Sequence, residues 1–200
     1  MGKAIKEGKP FLLEIFKPEK FTPSELDTVL GQFSPSIFQK NEYLVEEGQV
    51  THFYYFLESG FARSYAIDVE GKDVTTNFYS EKDIVIDWHS FFLKTTCRES
   101  IQALSPCRCW KITFEGFMTL FGIEAFREVG RTRLVSSYFQ LKNHTVSMIA
   151  DDAKERYLQL LREKPAIIQN VPLKHIATFL GITDTSLSRI RKEIVEAKTE

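Results

Sequence analysis

Near the C-terminal end of this 200-residue chain, Thr185, Ser188, Arg189 and Lys192 recur at a spacing that a helix would bring to one face. Leu187, Ile190 and Ile194 would fall on the opposite face and be buried. Short hydroxyl side chains early in a helix and cations further along suit contact with base edges and phosphates. Arg189 is the candidate for a bidentate contact to guanine O6 and N7, and Thr185 for a thymine methyl or an adjacent base. Arg191 and Lys192 are candidate phosphate partners, and Thr183 is the residue that would cap the helix. A three-helix protein-interaction module with a solvated basic face would show the same spacing.

The elements just upstream decide how such a helix would be held. Ile176, Ala177 and Leu180 supply the inner face of a preceding helix, and Gly181 stands where that helix would end in a left-handed turn. Ile182 would plug the angle between the two helices, and small Ala177 permits a close crossing. The pattern predicts a helix-turn-helix. Before it, Asp151-Asp152 can cap a helix carrying Ala153, Tyr157, Leu158, Leu160 and Leu161 that stops before Pro165. Further upstream, Leu134, Tyr138, Leu141, Thr145 and Met148 follow one another at intervals of 4, 3, 4 and 3 residues. That is an a/d seam over two heptads, flanked by Arg131, Arg133, Gln140, Lys142 and Asn143. The stripe reads as narrow and suited to a partner helix, so a homodimer is predicted. Two copies would then present their recognition helices with two-fold symmetry, as DNA half-sites require.

The first half of the chain has a different texture. Thr22-Pro23-Ser24-Glu25 is a capping box with proline at the first helical position, followed by Leu26, Val29, Leu30 and Phe33 at helical spacing. From Ser34 to about Thr113 short β-rich runs alternate with Gly48, Gly60 and Gly71, and residues 68–72 read as a hairpin tip. Some eighty residues of this kind predict one closed sheet system, a sandwich or barrel-like roll. The expected fold class is therefore α+β: an N-terminal jelly-roll-like β-roll, a long dimerisation helix, and a C-terminal all-α helix-turn-helix domain without a full wing. The expected boundaries are 1–122, 123–150 and 151–200.

Composition narrows the function. The chain is 43% hydrophobic and 26% charged, which suits a folded protein and excludes collagen-like or wholly disordered classes. A net charge of −1 means that nucleic-acid contact must come from a local patch. No apolar run approaches the roughly 20 residues that span a bilayer, so no membrane contact is expected. Met1-Gly2-Lys3-Ala4-Ile5-Lys6 lacks the apolar stretch and cleavage site of a secretory signal. Three cysteines, Cys97, Cys107 and Cys109, cannot all pair, which favours reduced thiols and a cytoplasmic setting. No fourth ligand stands at a workable spacing from them, so no metal is expected. A cupin-like enzyme would need a histidine cluster on facing strands, whereas His52 and His89 are the only histidines in the roll. There is no nucleophile elbow, phosphate loop or paired-carboxylate signature, so no enzyme activity is expected.

Taken in order, the elements resemble the Crp/Fnr family of bacterial transcription regulators over nearly the whole chain. In the roll the resemblance rests on Gly48, on Phe53-Tyr54-Tyr55-Phe56-Leu57-x-x-Gly60 and on the Gly71 hairpin. At the C-terminus it rests on Ile176-Ala177-x-x-Leu180-Gly181-Ile182-Thr183-x-x-Ser186-Leu187-Ser188-Arg189-Ile190. It implies a DNA-binding homodimer that works with RNA polymerase and carries a cyclic-nucleotide-binding-like effector domain. The phosphate-binding cassette of that family aligns with residues 83–92, but departs from the family pattern. Asp87 stands at the acidic position, Ile86 replaces a glycine, and Lys82 replaces a glycine before Asp83. Counting back from Ile112-Thr113 places Cys97 at the family's arginine position and Arg98 at its serine; a one-residue shift makes Arg98 the arginine candidate, with Glu99 beside it, a carboxylate that would oppose a cyclic phosphate. Asp87, Trp88, Phe91 and Arg98 are thus the effector-pocket candidates, for a small molecule of unknown identity. A cyclic AMP- or cyclic GMP-responsive regulator, or an adaptor that has lost DNA binding, are the alternatives. No cysteine cluster or histidine stands where an iron–sulfur or haem sensor of the family would need it. Only six residues follow Ile194, too few for the family's β-hairpin wing, so DNA contact would lean on the recognition helix.

Overall fold

The computed structural model describes residues 9–197. The reading of residues 1–6 therefore lies outside the described residues. The chain opens with α1 (Pro10–Phe16) and α2 (Pro23–Gln32), joined by a 3-10 turn at Pro18–Lys20. The capping box of α2 forms as its sequence predicts: Thr22 Oγ1 accepts from the Glu25 N–H, and the Glu25 carboxylate accepts from the Thr22 N–H at 2.9 Å. Helix α1 carries no comparable signal, yet it buries Phe11, Leu12, Ile15 and Phe16.

Eight strands follow: β1 (Ser34–Phe38), β2 (Tyr43–Val45), β3 (Phe53–Ser59), β4 (Ala62–Ile67), β5 (Asp73–Tyr79), β6 (Ile84–Val85), β7 (Ser100–Ala103) and β8 (Cys107–Thr113). They make two four-stranded antiparallel sheets, ordered β1-β8-β3-β6 and β2-β7-β4-β5, which is the predicted jelly-roll arrangement. The period-2 alternation of strands sorts the cores. On β3, Tyr55 and Leu57 point into the roll with Cys107 and Cys109 of β8. Tyr54 and Phe56 point outward with Trp110 and Ile112, under α1 and α2. The three cysteines are buried and free, and burial pushes the Cys109 thiol up to about 12.

Two short helices interrupt or end the roll: α3 (Trp88–Leu93) after β6, and α4 (Phe114–Leu120) after β8. Helix α5 then runs 27 residues, Glu124–Ala150. The C-terminal unit comprises α6 (Ala153–Glu163), α7 (Pro165–Asn170), α8 (Leu173–Phe179) and α9 (Asp184–Glu196). Asp152 caps α6 by accepting from the Glu155 N–H at 2.9 Å. Gly181, at φ +67°, supplies the left-handed residue between α8 and α9. No strand follows α9 among the described residues.

The expectation of a narrow stripe on α5 is corrected. Leu134, Tyr138, Leu141, Thr145 and Met148 are all exposed, as the seam requires, but so are Val135, Phe139, Val146 and Ile149. At 100° per residue these additions widen the exposed apolar face to about half the helix circumference. Only Phe126 and Ser147 of α5 are buried within the chain.

Candidate ligand cavity and nucleic-acid interface

Helix α9 presents the face read from its sequence. Thr183 Oγ1 accepts from the Ser186 N–H at 3.2 Å, so its hydroxyl is already in use as the cap. Leu187 and Ile190 are buried and Ile194 is half-buried. Thr185, Ser188, Arg189 and Lys192 are exposed, and Arg191 is half-buried. Arg189 and Lys192 meet only loose helical carboxylate partners, Glu193 at 3.9 Å and Glu196 at 3.7 Å. Exposed pairs of this kind contribute little to stability.

Helix α8 lies differently. Ile176, Ala177 and Leu180 fill the core of its own unit, while its other side packs on strand β5 of the roll. The Thr178 hydroxyl accepts from the Thr75 N–H at 3.2 Å and meets the Thr75 hydroxyl at 3.2 Å. Phe179 packs on Phe78 with ring centroids 5.1 Å apart, and Phe78 is buried among the C-terminal helices. Lys164 Nζ donates to the Phe78 carbonyl at 2.7 Å. His175 is buried beside the Arg63–Asp73 ion pair, whose N–O distance is 2.6 Å. Burial, aided by the Arg63 and Lys174 charges, pushes this imidazole down to about 4. Its Nδ1 and the Arg63 Nε have no hydrogen-bond partner.

Between the roll, α5 and the C-terminal unit lies a cavity of about 620 Å³. That volume falls within the ~300–1,000 Å³ of ordinary small-molecule sites. Of the four effector-pocket candidates, Asp87, Trp88 and Arg98 line it. Phe91 does not: it is fully buried in the aromatic layer, against Tyr54, Phe114 and Phe117. The short helix α3 explains the difference, because it turns Phe91 inward and leaves Trp88 at its exposed start. Trp88 stacks on Phe92 at 5.9 Å. Asp87 caps α3, accepting from the Ser90 N–H at 2.9 Å. Ile86, at the glycine position of the family pattern, is buried in the outer core. Lys82 adopts φ +71°, the left-handed conformation that a glycine takes at no steric cost. Its ammonium meets Glu14 at 2.9 Å.

The cavity also takes residues that no local pattern marked. Ser137, Gln140, His144 and Ser147 come from α5, and Arg156, Gln159, Glu163 and Lys164 from α6 and its end. His144 stacks on Phe179 at 4.2 Å, and burial lowers its proton affinity. These residues lie 50 to 77 positions from Asp87, from Ser137 to Lys164, and belong to helices whose patterns speak only of packing.

A family profile described as cyclic nucleotide-binding domain matches residues 36–123. No curated protein sequence matches the chain. Among solved structures, FixK2 from Bradyrhizobium japonicum superposes with TM-score 0.71 at 16% identity, over 83% of this chain and 86% of that one. The c-di-GMP responsive global regulator CLP from Xanthomonas campestris gives 0.67 at 14% identity, over 88% and 93%. A mutant of CooA from Carboxydothermus hydrogenoformans gives 0.68 at 17% identity, over 93% and 84%. No helix among the described residues is long and apolar enough to cross a membrane. The profile match over 36–123 and the order of the helices behind it give the chain the same fold as these solved structures, the arrangement that the Crp/Fnr resemblance implies.

Proposed function

We propose that the chain is a sequence-specific, non-enzymatic transcription regulator that binds double-stranded DNA as a homodimer and works with RNA polymerase in the cytoplasm. Residues 1–122 act as its effector domain, 123–150 as its dimerisation helix and 151–200 as its DNA-binding domain. The observation that carries this reading is the exposed face of α9, where Thr185, Ser188, Arg189 and Lys192 stand opposite the buried Leu187 and Ile190. Arg189 reads a base pair; Lys192 and Arg191 grip phosphate; Thr183 holds the helix start. The broad apolar face of α5 around Leu134, Tyr138, Leu141, Thr145 and Met148 takes the second copy.

The effector cassette is degenerate. Asp87 is committed to a helix cap, and Ile86 closes the place where backbone would approach a phosphate. Arg98 is the one cassette cation on the cavity wall, with Glu99 beside it holding the Thr76 hydroxyl at 3.0 Å.

The test starts with the full chain and a random pool of DNA duplexes. A recurring two-half-site sequence is expected, with half-sites about 34 Å apart or a multiple of that. On that sequence Arg189→Ala is expected to cost about 1–3 kcal/mol at the contacted base pair, with the dimer intact. Unchanged specific binding would overturn the assignment of α9. Leu141→Asp is expected to convert the dimer to monomer by analytical ultracentrifugation.

A further inference from the structure

The docking of α8 on β5 competes with a duty of the same helix. A helix-turn-helix uses its first helix to cross the DNA backbone while the second enters the major groove. Here α8 has little surface left for that. Ile176, Ala177 and Leu180 face its own core, His175 is buried, and Thr178 and Phe179 pack on β5. Only Lys174 is fully exposed along this helix. The docked arrangement therefore leaves α9 open but withholds the helix that must lie across the phosphates.

At the centre of this contact the charges balance only while one ring stays neutral. Arg63 of β4 is 2% exposed, and the roll itself holds its guanidinium. Asp73 meets it at 2.6 Å, the Thr75 hydroxyl accepts from it at 3.1 Å, and the Tyr65 ring lies 4.3 Å away. The C-terminal unit brings His175 and Lys174 on α8 and Asp184 at the start of α9. The imidazole thus stands among two cations, Arg63 and Lys174, and two carboxylates, Asp73 and Asp184. Asp73 is already engaged by Arg63, and His175 Nδ1 has no hydrogen-bond partner. A proton on that ring would add a charge at a buried site where no acceptor meets Nδ1. Separating the two units would give both the ring and the orphan Arg63 Nε to water.

We propose that His175 and the Arg63–Asp73 pair form an acid-released latch between the roll and the DNA-binding unit: mild acid charges the ring, which frees α8 and strengthens DNA binding. The DNA consequence rests on the regulator function proposed above; the latch does not. The sign follows from linkage. The ring takes its proton near 6.5 when free and near 4 when docked, so between those values the open form binds more protons. Opening should rise about twentyfold from pH 7 to pH 5. A second ring lies in the same contact. His144 stacks on Phe179, faces Arg156, Glu163 and Lys164, and is also held neutral by burial, so it serves as the comparison.

The test follows the full chain from pH 7 to pH 5 at constant salt. Imidazole NMR is expected to show His175 neutral at pH 6, where a free ring is mostly charged. Hydrogen exchange in α8, corrected for the intrinsic rate, is expected to quicken about twentyfold by pH 5, with α1, α2 and β3 unchanged. Anisotropy on the selected duplex should show acid tightening DNA binding relative to His175→Gln, which should lose the response. Arg63→Gln leaves Asp73 to the charged ring, so it is expected to raise the proton affinity of His175 and blunt the response. His144→Gln is expected to keep most of it. The proposal is overturned if His175 is charged at pH 6, if His175→Gln responds as the wild type does, or if α8 and β3 open together. It is also overturned if acid weakens DNA binding relative to that variant. Should no duplex be selected, the regulator reading fails by itself, while NMR and exchange still test the latch.

Discussion

Each sheet of the roll carries a helical layer on its outer face, and the two layers are built of different material. On the β1-β8-β3-β6 sheet, α1 and α2 lay down an aromatic, nearly dry layer. Phe16 lies 5.4 Å from Phe33, 5.7 Å from Phe56 and 5.8 Å from Phe126. On the β2-β7-β4-β5 sheet, the C-terminal unit rests on one aromatic pair, a threonine pair, a lysine–carbonyl bond and a buried Arg63–Asp73–His175 group. Two atoms in that group, Arg63 Nε and His175 Nδ1, have no partner. Water on separation would offer nothing to the first layer and would satisfy both orphan atoms of the second. The first layer is thus part of the core, whereas the second is a contact able to open.

Truncating the dry layer should have the largest effect. Phe16→Ala, at a fully buried ring, is expected to cost about 3–5 kcal/mol of global stability in a denaturant titration. A loss below about 1 kcal/mol would remove the contrast between the layers.

Acidification should act next, and on the second layer alone. The free imidazole takes its proton near 6.5 and the buried His175 near 4. Between those values the opened state binds more protons, so the contact is fully stable above pH 6.5 and weakens as pH falls towards 4. The slope is about 1.4 kcal/mol per pH unit at most, on the order of 2 kcal/mol from pH 7 to pH 5. The groups facing this ring are Arg63 on β4, Asp73 on β5, Lys174 on its own helix and Asp184 on α9. Hydrogen exchange in α8 should therefore quicken at pH 5 while α1 and α2 stay protected, and His175→Gln should flatten the difference.

Thr178→Val should have the smallest effect. It removes one partner of the threonine pair while keeping shape, so the contact should weaken by about 1 kcal/mol. Expected are faster exchange in α8, an unchanged global transition, and DNA affinity raised by up to about fivefold. If affinity falls instead, docking favours DNA binding.

Several elements were legible because their signals are local. The capping box at Thr22, the glycine at position 181 with its positive φ, and the alternation along β3 each depend on neighbours within a few residues. The face of α9 was legible for the same reason: burial of Leu187 and Ile190 fixes where Arg189 points. Helix α1 was missed because a short apolar helix without a capping side chain has no signature until β3 gives it a surface to cover. Phe91 was misplaced because the aromatic run around it does not reveal which ring a single turn of helix will bury.

By itself, then, the sequence determined the principal helices, the roll-then-helix architecture and the polar face of the last helix, all consequences of periodicity and capping. Only the tertiary structure decided that α8 is covered by β5, and that Arg98, Ser147, Arg156 and Lys164 share one cavity. Those contacts join residues up to 103 positions apart. No local pattern encodes them, because they depend on which faces remain uncovered once each unit has buried its own core.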